Sequence, residues 1–405
     1  MFVRRFTDSY NAQELQEVSS EESGGKILFA TDDFFAVAEN LLAKDEPKWN
    51  DDYTEFGKWM DGWETQRKRT TGHDWAIIQL AKPTLIRRIC VDTAFFSGNF
   101  APRFSVQAAC LHRDVGRIQN RKNKMGTSAS KKDLKRVSKL QSEKWRTLVP
   151  MQALRSGISE TRKHYIELAD PHEATHIRLN IYPDGGIARL RIYGKPLLKS
   201  ATPSMLIITQ IHTKVPRPLQ SLWSNNKNSE LTNLVAGRCI EFSDAHYGHP
   251  DNLMNPWPSK GMHDGWETAR RSDRPSKIEL DDEGFVKMKG EEWVIFHLSN
   301  TVMIRDIEVD TTHFKGNCPD SIRIEGAFRE SEEKLDAVRW RPVLQRTKLL
   351  PNKSNGLKCH NSDQKSSING PLISTNLVKV TIAPDGGLAR LRIYGVPPQY
   401  ILQTA

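Results

Sequence analysis

Four groups of polar residues recur in this 405-residue chain in the same order, and their types could do chemistry. Thr31-Asp32 and Asn40-Leu41 return as Ser243-Asp244 and Asn252-Leu253. Asp61-Gly62-Trp63-Glu64-Thr65 returns identically as Asp264-Gly265-Trp266-Glu267-Thr268, and a basic residue follows each copy, Arg67 or Arg270. Val91-Asp92-Thr93 with Asn99 returns as Val309-Asp310-Thr311 with Asn317. Pro183-Asp184-Gly185-Gly186 and Ala188-Arg189-Leu190-Arg191 return as Pro384-Asp385-Gly386-Gly387 and Ala389-Arg390-Leu391-Arg392. Carboxylates with guanidiniums close behind them suit proton transfer beside an anion clamp. The copies differ where the first has Phe95 and Ser97 and the second has His313 and Lys315. Histidine can donate or accept a proton near neutral pH, and a lysine two residues on shares its face if the segment is extended. We therefore expect His313 and Lys315 to share a polar cleft with Glu267 and Arg270, and Asp264 and Asp310 to join them as carboxylates. Phe95 and Ser97 are expected to form a less polar place, as scaffold or wall.

Several of these residues also have a purely structural reading. Trp63, Trp266, Trp75 and Trp293 fit a core as well as a ligand platform. Asp92 and Asp310, each before Thr at a strand end, could cap turns. Alternation puts Arg189 with Arg191 on one face of a return strand and Leu190 with Ile192 on the other. Those guanidiniums suit either a structural carboxylate or an anionic ligand, and the pattern leaves both open. His73-Asp74 is the one hint of metal binding, but no spacing for three or four ligands follows, so neither metal nor cofactor is expected.

Elements of two kinds are needed to position such groups: strands, and the turns between them. Apolar alternation of period two marks short strands at Trp75 to Leu80, Leu85 to Asp92, Phe104 to Cys110, Tyr165 to Leu168 and His176 to Tyr182. Helical signal is confined to a turn or two around Ala36 to Leu42. The fold class expected is all-β: two tandem antiparallel β-sandwiches of jelly-roll type, from an internal duplication. Each unit is long enough to bury its own core. The boundaries read are a lead-in at 1–23, repeat one at 24–196, a linker at 197–235, repeat two at 236–397 and a tail at 398–405.

Net charge is +10, but Arg113 to Ser142 alone carries ten Lys/Arg against two Asp. Asn99 to Trp145 spans 46 residues where Asn317 to Trp340 spans 23, so this basic run is an insertion into repeat one. It lacks interleaved aromatics for base stacking, so a solvated loop is expected and nucleic-acid binding is not. Repeat two has its own insertion, with 27 residues from Trp266 to Trp293 against 12 from Trp63 to Trp75, also expected as a loop. Five scattered cysteines without a CxxC pair fit a reducing compartment. No apolar run has membrane-spanning length. A cytoplasmic protein with no membrane partner is expected.

The strings Ala30-Thr31-Asp32, Tyr53 through Thr65, Gly72-His73-Asp74-Trp75, Asn180 through Gly186 and Val309 through Asn317 together resemble the allantoicase family. The resemblance covers Gly24 to Pro397. It implies tandem jelly rolls of the galactose-binding, discoidin-like type, a homo-oligomer, and hydrolysis of allantoate to ureidoglycolate and urea in purine and allantoin degradation. The enzyme class implied is a hydrolase acting on carbon–nitrogen bonds of linear amidines. That chemistry requires a proton donor for the leaving nitrogen, an activated water and a cation for the carboxylate. His313, Glu267, Asp264, Lys315 and Asp310 are the catalytic candidates. Arg270, Asn317, Arg390, Arg189, Glu64, Arg67 and Asp61 are the substrate-binding ones. His263 stands where the family usually has glycine. A second reading is a homologue that keeps the fold for binding without catalysis, and sugar binding is a third.

Overall fold

The computed structural model of the chain describes residues 15–111, 115, 118–197, 233–234, 237–330, 334–358 and 374–396. Most of the expected linker, including Pro216 to Pro218, and the tail lie outside them.

Each repeat is built around one long strand that bends. In repeat one, Asp74–Asp92 pairs through its first third with Lys26–Ala30 and with the end of Lys163–Tyr182. The register then shifts between Gln79 and Thr84, where Pro83 can offer no amide hydrogen. Beyond the shift the strand pairs with Arg189–Pro196 and with the start of Lys163–Tyr182. Residues before the bend (Ala76, Ile78, Leu80) and after it (Ile86, Ile89, Val91) enter the same buried cluster with Phe104, Leu179 and Ile192. The bent sheet thus closes over one core as a sandwich, all of its pairings antiparallel. Repeat two does the same with Glu292–Asp310, whose register shifts between His297 and Val302, around Trp266, Phe296, Ile307 and Ile393. Two antiparallel β-sandwiches of jelly-roll type therefore stand in tandem.

Repeat two's insertion is a loop, as expected, while the basic insertion is more ordered than its composition suggests. The basic segment is not a projecting loop: it contains the helix Lys131–Val137, capped by the Ser130 hydroxyl accepting from the Asp133 amide. Ile118 and Val137 are buried against Phe29 and Ile77 on the outside of the sheet. Arg121 makes bidentate bonds with Asp33, at 2.7 and 2.8 Å, and also bonds Glu39. A few apolar residues and one arginine hold down a run whose lysine count had suggested only solvent. The insertion in repeat two likewise docks, Ile278 pairing with Gly72 of repeat one through two bonds of 2.9 Å. The lead-in is also tied where it is described. Gln16–Glu17 pairs with Tyr193 and Gly194, and the Glu17 carboxylate accepts from the Ser19 and Ser20 amides.

Candidate active site between the repeats

Two short ribbons carry the glutamates. Trp63–Glu64 pairs with Gly186–Ile187, and Trp266–Glu267 with Gly387–Leu388. Both tryptophans are fully buried and donate their indole N–H to a carbonyl, Asp32 or Asp244, which settles them as core residues. Strand alternation then turns the next residue, Glu64 or Glu267, the other way. The partner strand follows a turn whose glycine, Gly185 (φ 135°) or Gly386 (φ 145°), lies in a region side chains avoid. A Cβ on Gly185 would come within 2.6 Å of the Ala101 backbone of its own repeat, so only glycine fits the turn that carries Asp184.

The charged groups pair crosswise, each repeat neutralising the other. Arg67 of repeat one binds Glu267 (2.8 Å) and Asp385 (3.0 Å) of repeat two. Arg270 of repeat two binds Glu64 (2.9 Å) and Asp184 (2.5 Å) of repeat one. Arg69 adds a second bond to Asp385 at 3.0 Å, and Arg274 one to Asp184 at 2.5 Å. The Arg67 amide donates to the Gly316 carbonyl and the Arg270 amide to that of Gly98, both at 2.8 Å, so the backbone follows the same pseudo-twofold pattern. Burial alone would raise the Asp184 and Asp385 carboxyls, but the facing arginines hold both far below the usual range.

A cavity of about 240 Å³ opens between the repeats beside this network. Glu64, Arg67 and Asn99 line it from one repeat, Glu267, Arg270 and Asn317 from the other. Each glutamate commits one oxygen: Glu64 Oε1 accepts from Asn99 and Arg270, and Glu267 Oε1 from Asn317 and Arg67. Neither Oε2 has a hydrogen-bond partner among the described residues. Burial raises the Glu64 carboxyl, against the lowering pull of Arg270 and Asn99. The two halves differ around this core. Tyr247 stands where repeat one has Phe35. Its phenol is pushed well above the ordinary range by desolvation and by the charges of Glu64 and Glu267; since 38% of the residue is exposed, the two carboxylates are the firmer cause. His246, Met262 and His263 complete the repeat-two wall, and Trp49, Tyr53, Lys58, Met60, Phe95 and Ser97 the repeat-one wall.

The protein-family model of the allantoicase repeat matches residues 16–197 and again residues 230–398. The chain belongs to the allantoicase family. It is 33% identical over 381 residues to the "Probable allantoicase 1" of Burkholderia mallei, covering 92% of this chain and 91% of that relative. It is 32% identical over 395 residues to the "Probable allantoicase" of Photobacterium profundum, covering 95% and 97%. Among solved structures, allantoicase from Saccharomyces cerevisiae is similar at 27% identity over 94% of this chain and 93% of that one, with a TM-score of 0.35.

In this allantoicase-family chain the site residues expected from sequence divide into two groups. Glu64, Arg67, Glu267, Arg270 and Asn317 meet in the cavity, though each Arg serves the glutamate of the other repeat rather than its own neighbour. The other seven do not line it. His313 turns its Nε2 to the Ser259 carbonyl at 3.0 Å, and the Lys315 ammonium donates to the Glu55 carbonyl at 3.3 Å. The physical reason lies in the backbone. His313 has φ 74° and its counterpart Phe95 φ 67°. The segment is therefore a turn, and the extended-strand assumption that put His313 and Lys315 on one face fails there. It is Phe95 and Ser97 that reach the cavity instead. Asp310 caps its own turn by accepting from the Thr312 amide at 2.8 Å. Arg189 grips Asp61 (2.9 Å) and Arg390 grips Asp264 (2.7 Å), and both also donate to carbonyls, so these four form structural clamps. Tyr247, His246, Tyr53 and Lys58 were not read as site residues. The Phe35-to-Tyr247 exchange between the aligned motifs was the signal that could have exposed one of them. Among the described residues no cluster of three His, Cys, Asp or Glu is placed to hold a metal ion.

Proposed function

We propose that the chain hydrolyses allantoate to ureidoglycolate and urea, with the cavity between the repeats as its active site. The observation that carries this is the pair of glutamates in a chain of the allantoicase family. One comes from each repeat, each is fixed through one oxygen, and both line one cavity. Allantoate has two ureido groups on one carbon. The bond from that carbon to one ureido nitrogen breaks, its electrons passing to the nitrogen, which takes a proton from the Glu64 carboxyl. The burial that raises Glu64 favours this protonated form. The lone pair of the remaining ureido nitrogen supports the electron-poor carbon. Glu267 takes a proton from a water whose oxygen bonds to that carbon, and the proton returns to Glu64 through solvent, closing the cycle. Tyr247, kept protonated, donates a hydrogen bond to a ureido carbonyl. No step needs His313 or Lys315.

The same reading places the reaction in purine breakdown by a cytoplasmic homo-oligomer. Cys90, Cys110, Cys239 and Cys318 are all unbridged, which fits a reducing compartment. Light scattering on the purified protein and cell fractionation test these two points. The decisive assay is urea release from allantoate: stoichiometric urea and ureidoglycolate are expected, whereas folded protein that releases none would favour the non-catalytic homologue.

A further inference from the structure

We infer that Lys58, and neither cavity arginine, binds the carboxylate of the substrate. This rests on the reading of the cavity as the allantoate site. Among the described residues three lysine or arginine side chains line that cavity: Lys58, Arg67 and Arg270. Both guanidiniums are engaged within the protein through their terminal nitrogens, the Arg67 Nε–H being buried without a partner among the described residues. Arg67 Nη1 bonds Asp385 and the Ala269 carbonyl, and its Nη2 bonds Glu267 and the Thr268 carbonyl. Arg270 bonds Asp184 through Nη1, and Glu64 and the Thr65 carbonyl through Nη2. Each guanidinium is already neutralised by a buried aspartate, Asp385 or Asp184, and is bonded to a glutamate as well, so a substrate anion would have to displace one of these partners at the cost of an unpaired buried group.

Lys58 is held differently. Its ammonium lies 4.5 Å from the centroid of the Trp49 ring and 5.4 Å from that of Tyr53. Such an aromatic seat fixes a cation without neutralising it. Its ion-pair partner is Asp51 at 3.2 Å, whose side chain is 87% exposed. A bond to so exposed a carboxylate is weak and readily exchanged, and an ammonium has three donors to offer. A substrate carboxylate can therefore take the place of Asp51 or join it. The seat also exists on one side only. Asn40 to Asp61 spans 21 residues, whereas the matching Asn252 to Asp264 spans 12, and Trp49, Tyr53 and Lys58 all lie in the longer segment. The pseudo-twofold arrangement of the glutamates is thereby broken, so that the chain has one carboxylate subsite and one binding orientation for a ureido acid.

The test uses two probes that differ only in charge, ureidoacetate and its neutral amide, titrated calorimetrically into wild-type protein and into K58M, K58R and D51N. Wild-type protein should prefer the anion, and K58M should lose that preference, a change on the order of ten- to a hundred-fold for one charge-assisted hydrogen bond. K58R should restore part of it, and D51N should bind the anion more tightly. With allantoate, K58M should raise KM by a similar factor while kcat changes less. A K58M protein with wild-type melting behaviour that still prefers the anion overturns the assignment of Lys58 alone, provided the wild type releases urea from allantoate. Wild-type protein that binds neither probe and releases no urea overturns Lys58 and the substrate reading together.

Discussion

Glu64 and Glu267 have matching partners, an asparagine of their own repeat and an arginine of the other, so the partners alone do not tell acid from base. Burial raises the Glu64 carboxyl, and a raised carboxyl is the one that keeps its proton for donation. That environment supports Glu64 as the proton donor of the proposed reaction. Replacing Glu64 with Gln keeps an oxygen to accept from Asn99 and Arg270, so the fold should hold while turnover falls by roughly 10²–10⁴. The sign in pH follows from the role. An acid must carry its proton, so wild-type kcat should decline as pH rises through the raised Glu64 value. Stopped assays of urea release between pH 5 and pH 9, expressed per folded protein, read that decline; E64Q with wild-type turnover would remove Glu64 from the reaction. At this scale the sequence was informative about residue type and poor about partners. Both glutamates and both arginines stood out, but the neighbour in sequence, Glu64 with Arg67, is not the neighbour in space. Turn geometry at His313 was likewise invisible, because a left-handed φ on a non-glycine residue leaves no mark in composition.

At the scale of elements, strand periodicity was legible because each sheet has one face on a core, as at Ile78, Leu80, Ile89 and Val91. The long bent strand of repeat one reads as two short ones, since the register shift near Pro83 interrupts the alternation. Repeat two's insertion is the loop expected, with no helix or strand among the described residues between Trp266–Glu267 and Glu292–Asp310, whereas the basic insertion departs from the loop expectation. Charge dominates the composition of both insertions, whereas their placement depends on a few residues such as Ile118, Arg121, Val137 and Ile278. Arg121 is the sharpest case: its guanidinium faces the buried Asp33, which also accepts from the Ala38 amide that starts the 3₁₀ turn Ala38–Leu42. Arg121→Gln should therefore leave a buried carboxylate without its cation and destabilise the protein by roughly 3–5 kcal/mol. Neutralising the outward-facing Lys131 and Lys132 together should change stability by about 0.5 kcal/mol or less. Urea melts of the two variants separate a packed segment from a decorative one; equal midpoints would mean that the insertion carries no stability.

For the whole molecule, the crosswise pairing makes each repeat the counter-ion of the other. Asp385 of repeat two is surrounded by Arg67 and Arg69 of repeat one, and Asp184 of repeat one by Arg270 and Arg274 of repeat two. A repeat produced alone would leave its aspartate without the arginines of the other repeat, and its own arginines without their site. The duplication therefore shapes the cavity as well as the fold, since the cavity glutamates are fixed by the same two central arginines. Burial would raise both aspartates, but the arginines prevail and hold them below the unfolded value of about 3.9. A depressed carboxylate contributes stability that is fully present above the unfolded value and is lost as pH falls below it. Stability should thus be flat near neutrality and drop below about pH 4, with the contact between the repeats opening in the same step. Asp385→Asn should destabilise by roughly 3–5 kcal/mol at pH 7, because Arg67 and Arg69 lose their shared partner. It should also flatten part of the acid limb, because one of the two aspartates whose protonation drives that limb is gone. Urea denaturation of wild type and D385N at pH 7 and pH 3 measures both effects. A variant as stable as wild type at pH 7, with the same loss in acid, would mean that the repeats are held together by their apolar contacts and that the charges only orient the glutamates.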